Sequence, residues 1–116
     1  MSDCNDFYKA VQFYRDNFTV PGWYDPDSPG ITENILNRTE QLIPYVPKNY
    51  YINPCPDGSV QWEWDDRRKN NRWAIIEVYD DYFRLSMEHD FEVEETDINK
   101  FIQLLKQKLP QYEKQP

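Results

Sequence analysis

From Val60 to Val93 the chain repeats one pattern, an apolar residue at every second position, broken only by short polar segments. Val60, Trp62 and Trp64 come first, then Ala74, Ile76 and Val78, then Phe83, Leu85 and Met87. The same odd-numbered alternation continues through Phe91 and Val93. A period of two means a β-strand with one buried face and one solvated face. The breaks carry turn chemistry. Asp57-Gly58 offers a positive φ, DRRKNN (66–71) is wholly polar, and Asp80-Asp81 is a tight turn. Strands joined so closely must run antiparallel, because a parallel pair needs a crossover of about a dozen residues or more. Tyr50 to Asn53 adds a short strand in front, with Pro54 and Pro56 marking an edge or a connection, since proline cannot donate to a ladder. The expectation is a four-stranded sheet. His89-Asp90 is then either a bend in a long fourth strand or the start of a short extension.

Helical spacing takes over on both sides. In DCNDFYKAVQFYRDNF, residues Phe7, Ala10, Val11, Tyr14 and Phe18 form one stripe. Ser2 or Asp3 is placed to cap this helix, and Val20-Pro21-Gly22 stops it. The proline-rich segment after it holds Trp23 and Tyr24, which are expected to fold back over a core. Thr32 caps a second helix whose stripe is Ile35, Leu36, Thr39, Leu42, Ile43 and Val46, with Pro44 limiting its end. Thr96 caps a last one with Ile98, Phe101, Ile102, Leu105 and Leu109, and Pro110 ends it. Lys106 and Lys108 in its last turn suit the helix dipole. The expected order is ααββββα, an α+β domain with an antiparallel four-stranded sheet and helices packed on one face. Residues 1–116 read as a single domain, with 110–116 as a frayed tail.

Only 39 % of the residues are hydrophobic, but six Phe, nine Tyr and four Trp supply large side chains for the core. No apolar run reaches the roughly 18 residues of a membrane span. The opening MSDCNDFYKA is acidic and has no apolar stretch, so a cytoplasmic home is expected. Cys4 and Cys55 then read as free thiols, and with a single histidine they make no zinc-ligand pattern. No cofactor is expected. The net charge of −8 argues against direct nucleic-acid binding and toward basic surfaces.

Several pieces together resemble a family. GWYDPDS (22–28), ITENILNRTEQLIPYVP (31–47), PDGSVQWEW (56–64) and AIIEV (74–78) follow one another in order. They are similar to small bacterial and phage proteins of uncharacterised function with a GWDGYG-type turn after a first helix. In that family a short helix ending in Leu-Pro comes next, then a PDGSIQLEWE hairpin paired to a LEIEI-like strand. The resemblance covers residues 20 to 80. Here the second glycine of the turn is missing, and Trp62 stands where the family has leucine. The resemblance brings no catalytic residues. It implies a mobile-element or defence-system setting.

Two readings compete for the chemistry. If Val60, Trp62 and Trp64 share a face with Ala74, Ile76 and Val78, then Gln61, Glu63, Ile75 and Glu77 share the other. Glu63 and Glu77 are paired carboxylates of the kind a metal-dependent hydrolase uses, and His89 is the one imidazole that could assist. Yet the lysine a nuclease places two residues after such a glutamate is absent, because Tyr79 stands there. No glycine-rich phosphate loop is present either. A non-enzymatic protein is the expectation.

Charge segregation supports the other reading. Arg67, Arg68, Lys69 and Arg72 cluster in one hairpin connection. From Glu77 to Asp97 nine carboxylates face a single cation, Arg84. Such runs keep a surface soluble and guard a sheet edge. They also suit docking on a basic protein. The expected contacts are Asp80, Asp81, Glu88, Asp90, Glu92, Glu94 and Glu95, with the basic cluster as a secondary patch. The chain then reads as an acidic protein-binding module and inhibitor of phage or mobile-element origin, anti-CRISPR-like or nucleic-acid-mimicking. A structural subunit that assembles through an open sheet edge is the remaining alternative.

Overall fold

The computed structural model describes residues 4–66 and 71–109, with side chains from Asp6 onward. The proposed caps Ser2 and Asp3, the thiol of Cys4, the cations Arg67, Arg68 and Lys69, and the 110–116 tail lie outside that description. The chain runs α1 (Cys4–Asn17), α2 (Glu33–Leu42), a 3₁₀ turn (Ile43–Tyr45), β1 (Tyr51–Pro54), β2 (Val60–Asp66), β3 (Arg72–Val78), β4 (Phe83–Met87), β5 (Phe91–Glu95) and α3 (Ile98–Lys108).

Among the described residues the sheet has five strands, not four, in the order β1-β2-β3-β4-β5, and every neighbouring pair is antiparallel. The fifth arises because His89 and Asp90 both take positive φ, 67° and 60°, and reverse the chain. β5 then pairs back on β4, with Met87 opposite Phe91 and Phe83 opposite Glu95. The alternation survives the reversal, so the pattern alone leaves a long bent strand and a strand with a short extension equally open; the structure has two strands.

All helices cover one face. The core-side rows are Val60, Trp62 and Trp64 of β2, Ala74, Ile76 and Val78 of β3, and Phe83, Leu85 and Met87 of β4, every one of them buried. Phe7 of α1 meets Trp62 edge-on at 5.8 Å, Tyr50 stacks on Trp64 at 6.2 Å, and Phe83 stacks on Phe101 of α3 at 4.9 Å. Aromatic pairs of this geometry add about 0.5–1.5 kcal/mol each beyond area burial. The α1 stripe buries Phe7, Val11 and Tyr14, and α2 buries Ile35, Leu36, Thr39 and Leu42. The indole N–H of Trp62 is fully buried and has no oxygen acceptor.

Thr32 caps α2 as its sequence position predicts, accepting from the Ile35 N–H at 3.1 Å. Pro44 converts the helix end into the 3₁₀ turn, so α2 stops at Leu42 and does not reach Val46. Asp97, not Thr96, occupies the N-cap position of α3, and the Asp97 N–H is held by the Glu95 carboxylate at 3.0 Å. Among the described residues no helix is long and apolar enough to cross a membrane.

The segment between α1 and α2 is closed by the Ile31 N–H donating to the Phe18 carbonyl at 2.9 Å. There Gly30 passes so close to the backbone of Thr19 that a Cβ would lie 2.1 Å from its carbonyl oxygen. Trp23 does anchor this loop, stacking on Phe18 at 4.5 Å and donating to the Pro29 carbonyl at 2.9 Å. Tyr24 does not fold in and stays 64 % exposed.

Candidate docking face

With one face of the sheet under the helices, the opposite face is left to the alternate side chains. The strand registers line these up in rows. One row runs Asn53, Gln61, Glu77, Arg84, Glu94 across all five strands; the next runs Tyr51, Glu63, Ile75, Ser86, Glu92. Asp65 opposite Trp73 extends the face at one end. Tyr79 and Tyr82, stacked 4.6 Å apart, close the other. The face therefore presents Glu63, Asp65, Glu77, Glu92 and Glu94 against Arg84, with Tyr51, Trp73, Tyr79 and Tyr82 among them. Glu63 and Glu77 do share this face with Gln61 and Ile75, as the alternation predicts.

Arg84 is the centre of the face. Its guanidinium donates to Glu77 at 3.2 Å and to Glu94 at 3.1 Å, with Glu92 at 3.9 Å. It lies 5.5 Å from the Tyr79 ring centroid and 5.6 Å from that of Tyr82. Its pKa is moved well above the usual range: burial acts downward, and the bond to Glu94 and the charge of Glu77 more than offset it. The Tyr79 hydroxyl donates to Glu77 at 2.8 Å. Burial and that bond push its pKa up, so Tyr79 stays neutral. One cation thus fixes a net-acidic aromatic surface in place. The turn that sets this register closes with the Tyr79 N–H donating to the Tyr82 carbonyl at 3.0 Å.

The expected contact residues divide by role. Asp80 ties the β3–β4 turn to α2. Its carboxylate accepts from Thr32 at 2.6 Å and Asn34 at 3.1 Å, and its carbonyl accepts from Asn34 at 2.9 Å and Arg38 at 3.0 Å. Glu88 accepts from the Trp73 backbone N–H at 3.0 Å and from Arg72 at 3.4 Å. Burial acts to raise its pKa, but those bonds win and hold it below the usual range. Arg72 belongs to β3, half-buried and bonded to Glu88, and so is spent on this contact rather than on a basic hairpin tip. Glu95 points to the helix side, opposite Phe83. Asp81 and Asp90 are exposed at the two turns. Only Glu92 and Glu94, with side chains 59 % and 54 % exposed, lie on the open face.

The carboxylates of the hydrolase reading are differently occupied. Glu63 accepts from Gln61 at 3.3 Å, and Glu77 is engaged by Tyr79 and Arg84. His89 sits past the far end of β4, in the turn after Met87 and five residues along from the Arg84 that faces Glu77. Among the described residues no three His, Cys, Asp or Glu side chains converge as a metal site would need. Burial pushes the Cys55 thiol up; a bond with Ser59 lowers it, and Asp57, Glu77 and Glu63 raise it again, so it rests as a protonated thiol.

Sequence reasoning missed Arg84, Tyr79 and Tyr82 as parts of a site. The signal for them was the Asp80-Asp81 turn, whose register sets Glu77 opposite Arg84. Comparison of the chain with known protein families, curated proteins and solved structures returns no match.

Proposed function

We infer that the chain is a small, non-enzymatic protein-binding module that docks the uncovered face of its sheet on a basic surface of a partner protein. The observation that carries this reading is the composition of that face: five carboxylates, one internally paired arginine, and four aromatic side chains at its margins. Carboxylates give such an interface its steering and register, and Tyr and Trp are the side chains that most often carry binding energy. The rows spread glutamates over β2, β3 and β5, an arrangement suited to occupying a surface that otherwise holds phosphates. An inhibitor of phage or mobile-element origin, anti-CRISPR-like or nucleic-acid-mimicking, is the specific form of this reading, and it rests on the resemblance of residues 20 to 80.

The test compares two triple variants of equal charge change. Glu63, Glu92 and Glu94 are reversed to Lys in one; Asp6, Asp16 and Asp27, exposed and away from the sheet, are reversed in the other. Each tagged protein captures partners from cells of the source organism, infected and uninfected, and is eluted with salt and then with heparin. The reading expects a basic partner held by the wild type and by the second variant and lost by the first. Equal loss from both would show that net charge, not the sheet face, does the binding.

A further inference from the structure

Beyond the face itself, the sheet ends in an acidic edge. β5 pairs with β4 alone, and among the described residues no backbone hydrogen bond from outside that ladder reaches residues 91–95. An antiparallel edge strand leaves half of its N–H and C=O groups directed outward, a ready template for another strand. Two rows of the open face run out to this edge, and both end in a glutamate, Glu94 and Glu92. In the first row the charges alternate across adjacent strands: Glu77, Arg84, Glu94. The next position in that row lies beyond the edge, and a cation there continues the alternation. Between the glutamates Val93 is half-buried on the helix side, flanked by Phe91 and Glu95, so an incoming strand meets two carboxylates on one side and a mainly apolar strip ending in Glu95 on the other.

We propose that β5 is a template for strand addition by an extended, basic segment of a partner, with Lys or Arg at alternate positions and apolar residues between them. The segment would pair its backbone with the outer edge of β5 and place its cations opposite Glu92 and Glu94. This rests on the docking reading above and specifies how the partner engages. A second copy of this chain is the wrong occupant, because pairing β5 with itself would set glutamates against glutamates, and like charges directly opposite oppose pairing. Glu92 and Glu94 keep acceptor capacity for a second cation, since an ionised carboxylate has about four lone-pair sites and these two share a single Arg84.

The probe is a short capped peptide of alternating Lys and Val, with a control of equal net charge carrying a central Pro. Binding is measured by calorimetry at low salt, and amide hydrogen exchange of residues 91–95 is followed by NMR. Strand addition predicts slowed exchange at alternate amides of β5 and an affinity about tenfold or more above that of the proline control. Glu92→Lys with Glu94→Lys, both exposed and so compatible with folding, should lose the Lys-Val peptide and gain a Glu-Val peptide of the same length. Equal binding of the alternating and proline peptides, with β5 amides unprotected, would overturn strand addition and leave electrostatic docking standing. Binding of neither peptide would overturn both.

Discussion

Arg84 donates to Glu94 on the neighbouring strand at 3.1 Å, directly opposite it in the ladder, so the one cation of the open sheet face among the described residues is already neutralised from within. The same guanidinium reaches Glu77 at 3.2 Å on its other side. Its charge is therefore not presented outward, and the face reads as acidic to an approaching partner. Replacing Arg84 with Gln should cost about 1–2 kcal/mol in urea unfolding, because Glu77, whose side chain is only 19 % exposed, loses its charged donor. The loss should shrink at high salt, which screens the remaining carboxylates. On the docking account the variant also binds a basic partner more tightly.

Trp62 bears on the fold more than on the surface. It is fully buried, against Phe7. Trp62→Ala should destabilise by about 3–5 kcal/mol. Trp62→Phe should cost distinctly less, because the indole N–H has no acceptor to lose. Equilibrium denaturation of both variants checks the order; equal costs would contradict it.

Gly30 sits where the backbone of Thr19 crosses it closely. An added Cβ would meet the Thr19 carbonyl carbon at 2.5 Å and its oxygen at 2.1 Å, neither of which is a flexible side-chain end. Gly30→Ala should therefore destabilise by about 3 kcal/mol, the upper end of the usual overpacking cost. Gly22→Ala, where the nearest such atom is 3.9 Å away, carries only the strain of a φ of +88°. That variant should lose about 1–2 kcal/mol.

Stability should fall at both extremes of pH for identifiable reasons. The folded pKa of Glu88 is depressed, so its contribution is complete above the ordinary glutamate value of about 4.3 and is lost as pH falls through the folded value. Glu88→Gln should remove that part of the acid limb. Tyr14 is the opposite case: burial, with a smaller contribution from Cys55, raises it to about 12. A raised pKa favours the protonated form in the fold, so stability is full below pH of about 10 and declines toward pH 12. Tyr14→Phe should flatten that decline, and thermal unfolding across the two ranges reads both effects.

The helix-covered face was legible because Trp62, Ile76 and Leu85 obey a strict period of two, which allows only one side to be buried. The fifth strand was hidden because the same parity continues from Met87 to Phe91 across the turn, and neither His89 nor Asp90 announces a positive φ as glycine would. The candidate site was legible in composition and not in geometry. Sequence proximity grouped Asp80, Glu88 and Glu95 with Glu92 and Glu94. The fold instead turns Asp80 to α2, Glu88 to the Trp73 backbone and Glu95 to the start of α3. Those uses depend on hydrogen-bond partners up to 48 residues away, which no local pattern reveals.

The most direct test of the docking account is NMR shift mapping of the labelled chain with the captured partner, or with the Lys-Val peptide in its place. The account predicts perturbations concentrated at Glu63, Glu77, Arg84, Glu92 and Glu94 and along β5. Perturbations confined to α1 and α2, or spread evenly over every exposed carboxylate, would contradict it.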